Sequence, residues 1–172
     1  MLWALDYAMA NRSAMTDGAL VAFFAFVGTG RQLRRTNCHH NFTQRETHGG
    51  KSLWVTRKGA IKADVGDTGV IPGSRGTRSY IVKGRGNPLS YNSCSHGAGR
   101  RLSRSKAKQT FTVEDLARQM EGKTWLAQRA GALLDEIPSA YKDIDQVMAD
   151  QADLVEVEVE HTLTQVLNYK GA

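Results

Sequence analysis

The sequence predicts an α+β fold, and three observations carry that expectation. An Ala-rich amino-terminal stretch, residues 2–27, places apolar residues at 2, 5, 9, 20, 23, 24 and 27, which is a helical spacing. Between residues 53 and 86, the short apolar runs Leu53-Trp54-Val55, Val70-Ile71 and Tyr80-Ile81-Val82 are separated by Gly, the pattern of strands joined by tight turns. Helically spaced segments then fill residues 101–150, and strict alternation returns at residues 154–161. A chain of 172 residues is long enough for one domain with a real core, so a single domain over residues 1–172 is expected.

Taken in order, residues 2–27 read as one or two helices, with Asp17-Gly18 as the point of interruption. Their polar face carries Asp6, Asn11, Arg12 and Asp17. Residues 31–50 are polar and hold His39, His40 and His48, a strand or loop leading into a site. Residues 87–100 are rich in Gly, Ser and Asn and read as a loop, and 101–110 as helical. Thr112 caps a helix running to Met120, with Asp115 at the favoured acidic position. Further helices are expected over 126–134 and, opened by Pro138, over 140–150. A last strand is expected over 163–169.

Charge is unevenly spread. Residues 1–108 carry 18 Lys/Arg and 5 Asp/Glu, whereas residues 109–172 carry 5 and 12, so +13 and −7 sum to the net +6. A basic segment followed by an acidic one points to a polyanion-binding face on one part, against the plainer alternative of two solvated faces. Two cysteines, Cys38 and Cys94, are too few for a disulfide framework and fit a reduced, cytoplasmic protein. No basic leader precedes an apolar stretch. The apolar run at 19–27 is nine residues against the ~20 that a membrane span needs.

Several clusters bear chemistry. Asn37-Cys38-His39-His40-Asn41 offers imidazole and thiol to a borderline transition metal. In an extended chain adjacent histidines point to opposite sides, so one is the ligand and the other structural. Ser95-His96-Gly97-Ala98-Gly99-Arg100, with Arg104 behind it, combines a His with small residues that let backbone N–H groups approach a phosphate. It lacks Walker-loop spacing. Pro72-Gly73-Ser74-Arg75, followed by Ser79, sets turn glycines among hydroxyls and arginines, suited to an oxyanion or simply to a decorated turn. Arg57-Lys58-Gly59-Ala60 places basic residues at a turn, and Tyr141 either stacks on a base or packs at a helix start.

The order of these motifs is more specific than any one of them: NCHHNF, RKGA, IPGSRGTRSYIVKGRGN, SCSHGAGRRLSRSKAK, DEIPSAYKDIDQVM, DLVEV and a terminal Lys-Gly. The succession resembles the RtcB family of RNA-splicing ligases over nearly the whole chain. The resemblance implies an RtcB-like fold, carboxy-terminal portion, with mixed short strands and flanking helices. It also implies joining of an RNA 3′-phosphate or 2′,3′-cyclic phosphate to a 5′-hydroxyl, with GTP and Mn2+, through a guanylated histidine.

By position that histidine is His96, with Gly97, Ala98 and Gly99 lining the nucleotide site. His40 matches a manganese ligand, and Asn41 follows it at the nucleotide. Pro72, Gly73, Ser74, Arg75 and Ser79 match guanosine or phosphate contacts, as do Tyr141 and Lys170, while Lys58 and Arg104 match groups that hold RNA phosphate. Arg75 stands where the family usually has Met, adding charge beside the nucleotide. The remaining metal ligands, a Cys, two His and an Asp, fall in an amino-terminal part that precedes the region matched here. Implied partners are therefore RNA (tRNA halves or broken ends), GTP, a missing amino-terminal half or activating protein, and no membrane. The alternative is a non-catalytic fragment binding RNA or guanine nucleotide. A metal-dependent phosphohydrolase is disfavoured, because the ligand set is incomplete and no general base stands out.

Overall fold

The computed structural model of the protein describes residues 2–163. The elements are α1 (Leu2–Val27), β1 (Phe42–His48), β2 (Lys51–Arg57), β3 (Ala60–Lys62), β4 (Thr68–Pro72), β5 (Ser79–Gly84), β6 (Ser93–Ser95), α2 (Arg104–Thr110), α3 (Val113–Gln119), α4 (Ala130–Leu133), α5 (Ile144–Asp150) and β7 (Val155–Leu163). The strands form a β1–β2 hairpin, a short β3–β6 pair, and a sheet ordered β4-β5-β7, all antiparallel. Helices with short antiparallel strands make this the expected α+β class.

Alternation along β4 and β5 buries Ile71, Tyr80 and Val82 on one face. Against them close Ile61 of β3, Cys94 of β6, Val155 of β7, and Ile144 and Met148 of α5. A second core gathers Ala107 of α2, Leu116 and Met120, Ala130 and Leu133 of α4, Ile137 and Ala140. Each large apolar side chain so buried stabilises the fold by about 1.5–3 kcal/mol. Tyr141 packs against both cores and joins the helical part to the strands.

Thr112 caps α3 as expected. Its hydroxyl accepts from the Asp115 N–H at 3.2 Å, and the Asp115 carboxylate accepts from the Thr112 N–H at 3.0 Å. Other expectations are corrected. The helix expected over 126–134 breaks into a 3-10 turn (Ala127–Arg129), the single turn α4 and a second 3-10 turn (Leu134–Glu136). Pro138 forces the preceding Ile137 into extended backbone, φ −56° and ψ 139°, and stops propagation there. The next helix starts at Ile144 rather than residue 140, because Tyr141 is extended and bridges to Arg100. The loop at 87–100 contains β6. Of the strand expected over 163–169, Leu163 is the last residue of β7 and the rest lies outside the described residues.

α1 runs through Asp17-Gly18 without a break. The mid-helix Gly costs about 1 kcal/mol relative to Ala, which the Ala-rich sequence tolerates. It buries none of its residues, and Trp3, Tyr7, Met15, Val21, Phe23 and Phe26 are exposed. Its ties to the rest include polar ones: Arg12 donates to Asn37 at 3.0 Å, and Arg35 to Asp17 at 2.5 Å and Ser13 at 3.1 Å. Large apolar side chains exposed in this number on one helix ordinarily meet a partner surface.

The β1–β2 hairpin is pinned by Arg57, whose side chain is 1% exposed. Its guanidinium donates two bonds to Glu46 at 2.5 and 2.9 Å, one to the Ser93 hydroxyl at 2.9 Å and one to the Tyr91 carbonyl at 2.9 Å, and lies over the Phe42 ring. Burial pushes the Glu46 carboxyl up, but Arg57 and His48 outweigh it and hold it below the ordinary range. Replacing Arg57 with Met strands a buried carboxylate. The expected loss is about 3–5 kcal/mol of unfolding free energy in urea titration, partly recovered in the double variant with Glu46→Gln. A loss below about 1 kcal/mol would show that the pair contributes little.

Candidate functional site

Five sequence motifs converge through backbone hydrogen bonds. β2 ends at Arg57 and leaves Lys58 exposed at the turn to β3. Gly59 follows, and it is the meeting point. Its N–H donates to the Asn41 side chain at 3.1 Å, and its carbonyl accepts from the His96 N–H at 3.3 Å. Asn41 sits at φ +53°, the left-handed region that Asn enters more readily than most residues. From His96 the chain passes to Ala98, whose N–H donates to the Pro72 carbonyl at 3.0 Å. The Gly99 carbonyl then accepts from the Lys142 N–H at 2.9 Å, and Arg100 bridges Tyr141.

The loop after β4 is preorganised from within. The Gly73 N–H bonds the Arg78 carbonyl at 3.1 Å, the Ser74 N–H the Thr77 hydroxyl at 2.6 Å, and the Gly76 N–H the Ser74 hydroxyl at 3.3 Å. A Cβ on Gly73 would lie 2.2 Å from that Thr77 hydroxyl and 2.6 Å from the Arg78 carbonyl, so only Gly fits there. These N–H groups are thus spent inside the loop, and the loop presents side chains rather than an open nest of N–H donors. Arg75 is partly buried within it. Ser79 pairs with Pro72 at the base of the same hairpin.

The two adjacent histidines diverge. The His40 ring lies 5.7 Å from the His96 ring, centre to centre, while the His39 ring lies 5.3 Å from Phe42. Cys38 Sγ stands 3.5 Å from His40 Nε2. Burial, then the neighbouring His96, Arg12 and His39, pushes the His40 pKa below its ordinary 6.5. Burial and Arg12 do the same to His39, against Asp6. A cavity of about 450 Å³ lies between α1 and the base of the hairpin, lined by Arg12, His39, His40, Asn41, Thr43 and Lys58 among others.

Across the His96 loop stands a polar cluster. The Tyr141 hydroxyl donates to the Glu136 carboxylate and accepts from Arg100 Nη1 at 3.1 Å, with the Arg100 guanidinium 4.9 Å from the ring centre. Burial, reinforced by Glu136, raises the Tyr141 pKa and keeps the hydroxyl protonated. Arg104, at the start of α2, is largely exposed and pairs with Glu136 at 3.4 Å and Asp135 at 3.8 Å. It therefore stands among carboxylates in this state. Lys170 lies outside the described residues. Sequence reasoning did not single out Gly59 or Glu136 by themselves; their only signal was membership of RKGA and DEIP.

Among the described residues, no group of three or more His, Cys, Asp or Glu side chains is placed to hold a metal ion. His40 offers one imidazole and Cys38 one thiol beside it. The described residues thus do not fit a manganese centre by themselves. No described helix is long and apolar enough to cross a membrane.

Comparison with known proteins bears on the ordered motifs. A family model described as tRNA-splicing ligase RtcB matches residues 1–171. The chain belongs to the RtcB family. It is 49% identical over 176 residues to the RNA-splicing ligase RtcB of Escherichia coli strain K12, covering 98% of this chain and 42% of that protein. It is 38% identical over 130 residues to the tRNA-splicing ligase RtcB of Nanoarchaeum equitans (63% of this chain, 27% of that one). With the Methanococcus maripaludis tRNA-splicing ligase RtcB it shares 32% over 167 residues (83% and 35%). The chain therefore spans less than half the length of these RtcB relatives.

The depressed His40 pKa sets a pH dependence. In the window below 6.5, the unfolded chain takes up the His40 proton before the folded one does, so acidification costs stability. The contribution is complete above 6.5 and is lost as pH falls through the folded value. Unfolding midpoints measured from neutral pH to about pH 5 should fall less steeply in His40→Gln than in the parent chain. Parallel curves would show that His40 ionises as freely as in the unfolded state.

Proposed function

We propose that this chain carries the nucleotide-transfer part of an RNA ligase that joins a 3′-phosphate or 2′,3′-cyclic phosphate to a 5′-hydroxyl, with GTP as activating nucleotide and manganese as the ion. The observation that supports this most is the meeting of His40 and His96, rings 5.7 Å apart, where the family's ordered motifs are hydrogen-bonded together. In this proposal His96, neutral at one ring nitrogen, attacks the α-phosphorus of GTP. A P–N bond forms, the bond to pyrophosphate breaks, and the other ring nitrogen gives up its proton. A 2′,3′-cyclic end is first opened by water to the 3′-phosphate; that phosphate then takes GMP from His96 as the P–N bond breaks, and the 5′-hydroxyl attacks the activated RNA phosphorus, losing its proton and releasing GMP. Lys58 and Arg104 hold RNA phosphate, with Arg104 exchanging its carboxylate partners for it. Tyr141, its proton committed to Glu136, presents an aromatic face and an acceptor oxygen to the guanine. Asn41, the Ser74 side chain and the Gly97–Gly99 loop hold the nucleotide between them, with Gly73 permitting the tight turn beneath Ser74.

In this proposal His40 is the one described residue that would hold the metal, and the other donors would be supplied from outside the described residues. The bare apolar surface of α1 supports the same division, since it requires cover. A second reading, binding of RNA or guanine nucleotide without catalysis, is favoured by the absence of a three-donor cluster among the described residues.

The test is covalent labelling. The chain, supplied with the amino-terminal part of the Escherichia coli relative, GTP labelled at the α-phosphate and manganese, should acquire an acid-labile label. His96→Ala should remove it entirely, and chelation of manganese should prevent it. Label that persists in His96→Ala would sink the assignment of the nucleophile. Tight GTP binding with no label under any condition would favour the binding module.

A further inference from the structure

We infer that the outward face of the β1–β2 hairpin is a landing surface for single-stranded RNA, with Trp54 as a base-stacking platform and Arg45 as a phosphate contact. The inference rests on the RNA-ligase reading and adds the path by which the strand reaches the site.

The register places Thr43 opposite Thr56, Arg45 opposite Trp54, and Thr47 opposite Ser52, all on one face. The Thr43 and Thr56 hydroxyls meet at 2.9 Å, and Arg45 Nε donates to Ser52 at 2.8 Å, which confirms that these side chains share it. On this polar face Trp54 is 61% exposed. A large, mostly exposed aromatic side chain beside a guanidinium and hydroxyls matches the chemistry that holds unpaired bases: stacking without sequence preference plus a cation for the backbone.

Charge and continuity choose the occupant. Glu46, the only carboxylate in the hairpin, points to the opposite face and is tied to Arg57 and His48. What remains outward or at the ends is cationic: Arg45, Lys51 at the turn and Lys58 at the root. The surface runs directly into the candidate site, because Thr43 and Thr56 also line the cavity that holds His40, Asn41 and Lys58. From Trp54 to Lys58 is four residues, about 13 Å along the strand direction, the reach of about four stacked nucleotides. A base stacked on Trp54 therefore leaves the strand end within range of Lys58 and the His40–His96 pair.

The experiment is fluorescence anisotropy of this chain with a labelled, 3′-phosphorylated oligouridylate of about ten nucleotides, with Trp54→Ala, Trp54→Phe and Arg45→Ala compared across a salt series. Trp54→Ala should weaken binding about tenfold, with most of the affinity restored by Trp54→Phe. Arg45→Ala should lower the slope of log affinity against log salt by about one. Unfolding midpoints should stay unchanged, because both side chains are exposed, and Trp54→Phe guards against a misfolded alanine variant. RNA binding by the parent chain that neither Trp54→Ala nor Arg45→Ala alters would overturn the hairpin surface and leave the ligase reading intact. Self-association abolished by Trp54→Ala with RNA affinity unaltered would assign the face to a second copy of the chain instead. A parent chain that binds GTP but no RNA would overturn this surface and the RNA reading together.

Discussion

One buried guanidinium holds the candidate site in place. Arg57 closes the end of β2, and the two residues after it are the exposed Lys58 and the pivotal Gly59. Its bonds reach across the hairpin to Glu46, across to β6 through Ser93, and into the 91–92 turn, with Phe42 beneath. β6 leads straight into His96, and Phe42 follows directly on His40-Asn41. The interaction is therefore structural, yet it fixes the spacing of both histidines. A planar fork with several donors can tie three segments at once, which a lysine in that place cannot do. Placing such a group out of water is costly in itself, and its use is in specifying one arrangement of hairpin against sheet.

The remaining support comes from the two apolar cores. The strand core sets β3, β4, β5 and β6 so that the loops after β4 and β6 emerge side by side, where Pro72 meets Ala98. The helical core sets the segment from Asp135 to Tyr141 against the far side of the His96 loop. Tyr141, shared between the cores, is thereby held without being at a helix start, and its ring and hydroxyl are fixed from different directions by Arg100 and Glu136.

Much of this was legible in the sequence wherever a local rule governs. β4 and β5 show as short apolar runs set off by Gly and β7 as an alternation, and the capping box at Thr112 and Asp115 shows because both partners lie within one turn. Helix boundaries failed where Ala127–Glu136 keeps helical spacing but Pro138 and the packing of Leu133 and Ile137 force tighter turns. The hidden role of Arg57 was not legible: a basic residue next to Lys58-Gly59 reads as surface, and its burial depends on Glu46 and Ser93, which only the fold brings near. In the site, the divergence of His39 from His40 follows from chain geometry, but which of them faces His96 depends on the hairpin. Single motifs were weak, and their order carried the family. The internal bonding of the 73–78 loop could not be read, because hydroxyls in a turn serve a ligand or the turn itself equally well on paper.

Gly59 has the widest consequence. Its N–H holds Asn41, beside one histidine, and its carbonyl holds the backbone of the other. One residue with no side chain is thus a mechanical link between the entrance of the hairpin and the His96 loop. Any coupling carried by such a link is reciprocal: a ligand that favours one seat through it favours a ligand at the other by the same factor. The two histidine segments are thus joined through the two peptide groups that flank a single α-carbon.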